Sequence, residues 1–197
     1  MTLHSRNIDE IFRALDLQIK VHGGEPIALV VCGGTALAAL GLVERTTRDV
    51  DVLAKACEGG GKIRIESLRE FPPWFIKAAR TVARDFGLPG EWINLGPAPQ
   101  LQLGLPEGFE KRLVRRKYGD YLTIFFISRT DQIHFKLYAS VDRDSYHVED
   151  LLKLHPSEAE IEEAARWVLT QDTSQAFREL LRDFLKGIGY GDVAERI

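Results

Sequence analysis

Apolar residues recur at helical spacing at Ile8, Ile11, Phe12, Leu15 and Ile19, so the N-terminal segment predicts an amphipathic helix. His22-Gly23-Gly24-Glu25-Pro26 ends it and turns the chain into an unbroken apolar run, residues 27–32, which reads as a buried strand. Gly33-Gly34 follows as a turn, then Thr35, then the small-residue run 36–40, which reads as a buried helix. A polar turn, Glu44-Arg45-Thr46-Thr47-Arg48, leads into Asp49-Val50-Asp51-Val52-Leu53. Here acids alternate with apolar residues, and on a strand positions i and i+2 share one face, so both carboxylates point the same way.

Beyond that, residues 55–62, with Gly59-Gly60-Gly61, read as a flexible excursion, and Ile63, Ile65 and Ser67 suggest a short extended piece. Pro72-Pro73 starts a helix carrying Phe75, Ile76, Ala79, Val82 and Phe86 on its apolar positions, stopped by Gly87 and Pro89. Residues 91–104 read as loop, and residues 107–117 as a polar segment with Lys111, Arg112, Arg115, Arg116 and Lys117. That charge run reads either as a solvated face or as a phosphate- or RNA-facing edge. The β-branched and aromatic run 121–127 predicts a central strand. Ser128, with Asp131 three residues on, caps a helix to about Val141, and a second helical piece carries His147, Asp150, Leu151, Leu152 and Leu154. Two more amphipathic helices close the chain, one from Ser157 with Glu160 at its third position, one from Thr173 to Gly187.

Length and charge narrow the class. At 197 residues, with 45% hydrophobic and 28% charged residues, this is an ordinary globular chain of one core, or one core with a helical appendage. The net charge of −3 argues against a protein that coats nucleic acid. Cys32 and Cys57 form no disulfide or metal framework and suggest a reducing compartment. No signal peptide is evident, since His4, Arg6, Asp9 and Glu10 fall within a helical pattern, so a cytoplasmic location is expected. Residues 27–43 carry no charge, but they fall short of the roughly 20 residues a membrane span needs and are broken by glycines, so no membrane partner is expected.

Two carboxylates held side by side on a rigid strand repel one another, and a divalent metal between them resolves the repulsion. A glycine turn admits close backbone approach by a ligand, and amide N–H groups there favour anions. Each signal alone is also the mark of a plain turn or of a solvated strand. Together and in this order, Gly33-Gly34-Thr35 followed by Asp49-Val50-Asp51 resembles the opening of the polymerase-β-like nucleotidyltransferase superfamily. The resemblance implies an α/β fold: a mixed β-sheet flanked by helices, with a C-terminal helical cap. Residues 1–155 would form the nucleotidyltransferase-like core and 156–197 a helical extension packed on it as a single compact unit. It further implies that Gly33, Gly34 and Thr35 hold nucleotide phosphates and that Asp49 and Asp51 bind Mg²⁺, with Mn²⁺ as the alternative ion.

A second motif, Lys136 through Asp142-Arg143-Asp144 and His147 to Glu149-Asp150, resembles the small bacterial nucleotidyltransferase-like branch akin to AbiE-type toxins of toxin–antitoxin systems. There a helical lysine precedes an aspartate on the next helix; by that match Lys136 and Asp150 are site residues, with Lys136 also a nucleotide contact. Read from residue chemistry, lysine neutralises charge on a leaving phosphate, and Asp150 orients it or acts as a base. The alternative is an interhelix salt-bridge set of Lys136, Arg143, Glu149 and Asp150, and for Arg143 and His147 that structural reading is preferred. The family usually supplies a third carboxylate from a later strand; the run 121–127 has none, and Asp120, Glu91 and Asp131 are the other candidates. The expected activity is Mg²⁺-dependent transfer of a nucleoside monophosphate from an NTP to an acceptor hydroxyl on RNA (a tRNA end), protein or a small molecule. An antitoxin protein is the expected partner if the chain is a toxin. The competing expectation is a catalytically decayed nucleotide- or partner-binding module on the same fold.

Overall fold

The computed structural model describes residues 3–4, 7–44, 46–142 and 146–197. The chain divides into two compact units, Met1–Ser128 and Arg129–Ile197.

The first unit is built on a mixed sheet. Among its described residues run α1 (Ile8–Val21), β1 (Ile27–Cys32), α2 (Gly33–Ala39), β2 (Val50–Gly59), β3 (Lys62–Glu66) and α3 (Pro73–Phe86). They are followed by β4 (Ile93–Asn94), α4 (Gln100–Leu103), α5 (Phe109–Arg112), β5 (Val114–Lys117) and β6 (Leu122–Phe126). The strands lie in the order β3-β2-β1-β6-β5, and β4 pairs with β2 off this path. β1 pairs parallel with β6, and β4 parallel with β2; the other pairings are antiparallel. Parallel central strands are buried on both faces, which is why β1 and β6 read as continuous apolar runs. One face of the sheet (Ile27, Leu29, Val31, Val50, Val52, Leu122, Ile124, Phe126) packs with the apolar stripes of α1 and α3 into a single cluster. Asp16 of α1 accepts the amide hydrogens of Tyr121 and Leu122 at 2.8 and 2.7 Å, which fixes where β6 starts.

Three segments carry strands beyond expectation. Residues 55–59 are not an excursion but the second half of β2, which turns back into β3 with Gly59 paired to Lys62. The loop is therefore Gly60-Gly61, both at positive φ (59° and 74°). A two-residue hairpin of the type I′ form needs φ > 0 at both central positions and glycine supplies it without strain, so this glycine run is a hairpin signal. Within residues 91–104, Ile93 and Asn94 form a strand, because Val50 N–H donates to Trp92 O at 2.6 Å and opens a parallel pairing onto β2. The last four residues of the polar segment, Val114–Lys117, are β5, an edge strand whose cations have partners. Arg115 pairs with Glu58, Arg116 with Asp9 and the Ala39 carbonyl, and Lys117 with Asp120.

The second unit is helical: α6 (Arg129–Asp142), α7 (Tyr146–Lys153), α8 (Glu158–Gln171), α9 (Gln175–Gly187) and α10 (Gly191–Arg196). Trp167 stacks on Phe135 at 5.6 Å between centroids, over a core that includes Ile133, Leu137, Leu151, Ile161 and Leu181. Arg129 donates to the Leu154 and His155 carbonyls at the end of α7 and pairs with Glu160. The Ser157–Glu160 capping box forms as the sequence predicts, Glu160 N–H donating to Ser157 Oγ at 3.3 Å and Ser157 N–H to Glu160 Oε2 at 2.9 Å. Arg6, Arg45, Arg143 and Asp144 lie outside the described residues.

Candidate active site

The glycine turn and the aspartates meet at the ends of β1 and β2. β1 leaves the sheet at Cys32, and Gly33, with φ 65°, opens α2 directly. A β-carbon at Gly33 would lie 3.3 Å from Asp51 Cγ and collide with its carboxylate oxygen. Glycine is therefore required here twice over, for a left-handed backbone and for the space Asp51 occupies. Opposite Cys32 in the ladder stands Asp51. The register slips between Val30 and Val31: Val30 pairs with Ala54 but Val31 with Val52, leaving Leu53 as an extra residue in β2. A one-residue insertion reverses which face every later side chain takes. That bulge turns Val50 and Val52 into the core cluster and Asp51 to the opposite face.

Asp49 and Asp51 are both half-buried. The Thr47 hydroxyl donates to Asp49 Oδ1 at 3.0 Å, and Asn94 Nδ2 donates to Asp51 Oδ1 at 3.3 Å. Thr35 is fully buried, and its hydroxyl donates to the Asp49 carbonyl at 2.7 Å. It ties the start of α2 to the segment entering β2. Gly34 is buried beside it.

Lys136 and Asp150 come together within the second unit. They face each other from α6 and α7, with Nζ 2.7 Å from Oδ2, and are only 4% and 3% exposed. His147 Nδ1 lies 3.4 Å from the same ammonium, and the Tyr146 ring centroid is 5.5 Å from it, within cation–π range. Ser140 donates to the Lys136 carbonyl at 2.7 Å. His147 thus stands beside the pair and contacts the lysine.

Residues 8–155, three quarters of the chain, match the model of a family described as nucleotidyltransferase of unknown function (DUF6036). The chain belongs to this nucleotidyltransferase family. The match takes in the glycine turn, both aspartates and the Lys136–Asp150 pair. No curated protein and no solved structure matches the chain. Family membership brings a general role in nucleotidyl transfer and a nucleotide as substrate. Among the described residues no helix is long and apolar enough to cross a membrane; the charge-free stretch 27–43 is accounted for by β1 and α2.

The donor set for a metal is oxygen-only. Two half-buried carboxylates one residue apart, Asp51 seated against the Gly33 backbone, suit a hard divalent cation such as Mg²⁺. The third acid is another matter. Asp120 is exposed in a turn and pairs with Lys117, Glu91 is exposed ahead of β4, and Asp131 is fully buried on α6. Among the described residues no group of three or more His, Cys, Asp and Glu gathers where it would hold a metal. The residue level with Asp51 on the neighbouring strand is Asn94. Periodicity could not have found it, because a strand of two residues shows no alternation; the apolar pair Trp92-Ile93 between Gly90 and Gly96 was the available signal.

Proposed function

We propose that this family member transfers a nucleoside monophosphate from an NTP to an acceptor hydroxyl in the presence of Mg²⁺, with Mn²⁺ able to substitute. The observation that supports this best is the seating of Asp51 against the Gly33 backbone, which joins the expected phosphate turn to the expected metal ligands. Asp49 and Asp51 would hold the ion, which when bound neutralises phosphate oxygens and polarises the reacting phosphorus. Gly33 and Gly34 offer backbone to the triphosphate, and Thr35 keeps that turn fixed to Asp49. Lys136 supplies a cation for phosphate, oriented by Asp150. In the transfer, the acceptor hydroxyl gives its proton to solvent, its oxygen bonds to the α-phosphorus, the bond from that phosphorus to the α–β bridging oxygen breaks, and pyrophosphate leaves with the electron pair. The acceptor is RNA (a tRNA end, by the toxin resemblance), a protein side chain or a small molecule; a toxin restrained by an antitoxin protein is the reading that the toxin resemblance adds.

A second reading rests on the cluster of two acids rather than three: a module that binds nucleotide or a partner without turning nucleotide over. Incubation with each α-labelled NTP, Mg²⁺ and total RNA separates the two. Label transferred to RNA or protein, and lost in Asp49→Asn/Asp51→Asn, is the expected result. Nucleotide binding without transfer would instead identify the module.

A further inference from the structure

Beyond the metal ligands, the geometry points to Asn94 as a positioning residue that aims the Asp51 carboxylate and holds the acid cluster at two, so that the site takes one divalent ion. This rests on the reading of Asp49 and Asp51 as metal ligands.

Asn94 sits on a strand that Trp92 holds in place. β4 is anchored at both ends of its approach: Trp92, fully buried, donates its indole N–H to the Ala79 carbonyl of α3 at 2.9 Å, and its own carbonyl accepts from Val50 N–H. The register then sets Asn94 level with Asp51. The orientation of the amide is fixed by a second bond, since Gly96 N–H donates to Asn94 Oδ1 at 2.8 Å. Turning the amide over would set its NH₂ against the Gly96 N–H, two donors face to face. Gly96 has no side chain to interfere; a β-carbon there would lie 2.9 Å from the same oxygen. The group shown to Asp51 is therefore the amide nitrogen, 3.3 Å from Oδ1.

An N–H donor carries partial positive charge and ligates no cation. It engages one carboxylate oxygen of Asp51 and sets the plane of the group, as outer partners of metal-binding carboxylates do. An aspartate of almost the same shape at this position would add a third negative ligand beside Asp51 and draw a cation in more strongly. The choice of amide over acid thus sets the charge of the site.

The test titrates Mn²⁺ alone into the full chain and reads free ion from its paramagnetic resonance signal. Wild type, Asn94→Ala, Asn94→Asp and Asp51→Asn are compared, with melting by circular dichroism to confirm folding. Wild type is expected to bind one ion; Asn94→Ala weakens binding about tenfold, and Asn94→Asp tightens it about tenfold. If the acidic variant folds poorly without metal, the alanine variant decides. Two ions on wild type, or affinities unmoved by either substitution at 94, overturn the assignment. Indifference to residue 94 with Mn²⁺ binding still lost in Asp51→Asn removes Asn94's role alone. No Mn²⁺ binding by wild type removes that role and the metal-ligand reading together.

Discussion

Asp51 stands half-buried on β2 between the Gly33 backbone and the Asn94 amide, whereas Asp150 lies on α7, 3% exposed, with the Lys136 ammonium 2.7 Å away. The first carboxylate belongs to an acid pair and is steered by a neutral amide; the second has its counter-charge built in. A half-exposed carboxylate keeps much of its hydration and can exchange water for a cation. A buried one has already lost its water, so its lysine replaces solvent. The same residue type therefore stands half-hydrated in one unit and charge-paired without water in the other.

The largest expected effect probes the buried pair. Lys136→Met leaves Asp150 buried without its cation and should lower stability by roughly 3–5 kcal/mol, while Lys136→Met/Asp150→Leu recovers most of the loss. Urea unfolding of the single and double variants measures both. A single variant within about 1 kcal/mol of wild type would break the comparison, because Asp150 would then behave like an exposed acid.

Gly33→Ala comes next. It forces an L-residue to φ 65° and a methyl against the Asp51 carboxylate, at about 1–2 kcal/mol of stability. Nucleotidyl transfer should fall further than stability, by about a hundredfold, since a misplaced ligand spoils geometry. Loss of activity in proportion to unfolded protein alone would make Gly33 a purely conformational requirement.

The smallest effect sharpens the role of burial within the second unit. Arg129 first, then the Ser157 backbone N–H, hold the Glu160 carboxyl below its ordinary value of 4.5. A lowered folded pKa contributes stability that is present above pH 4.5 and is lost as pH falls through the folded value. Glu160→Gln should therefore cost under about 1 kcal/mol at pH 7, and its melting temperature should converge with wild type as the pH drops below 4.5. Convergence on raising the pH instead would contradict the sign. Against Lys136–Asp150, the contrast isolates desolvation from ion pairing as such.

Much of this was legible in the chain. Ile8 to Ile19 at helical spacing, Pro73 and Gly87 bracketing α3, and the Ser157–Glu160 box are local signals, and local backbone physics realises them. Residues 55–62 read as an excursion because lysine, cysteine and glutamate mask the alternation of a partly exposed strand, and because a glycine run signals flexibility and a tight turn alike, Gly60-Gly61 being the turn. β4 has two residues, too few for any period, and α10 six.

By itself the sequence determined the long helices, the buried strands β1 and β6, and the proximity of Asp49 to Asp51, since each depends on neighbours a few residues apart. It also carried the family, through the order of glycine turn and aspartate pair. Only the tertiary structure decided which face Asp51 takes, because the bulge at Leu53 exists only when β2 pairs with β1. The tertiary structure also brought Asn94 to Asp51 across 43 positions of chain, and matched Lys136 with Asp150 between two helices. Such contacts depend on register and packing between distant segments, which no window of residues records.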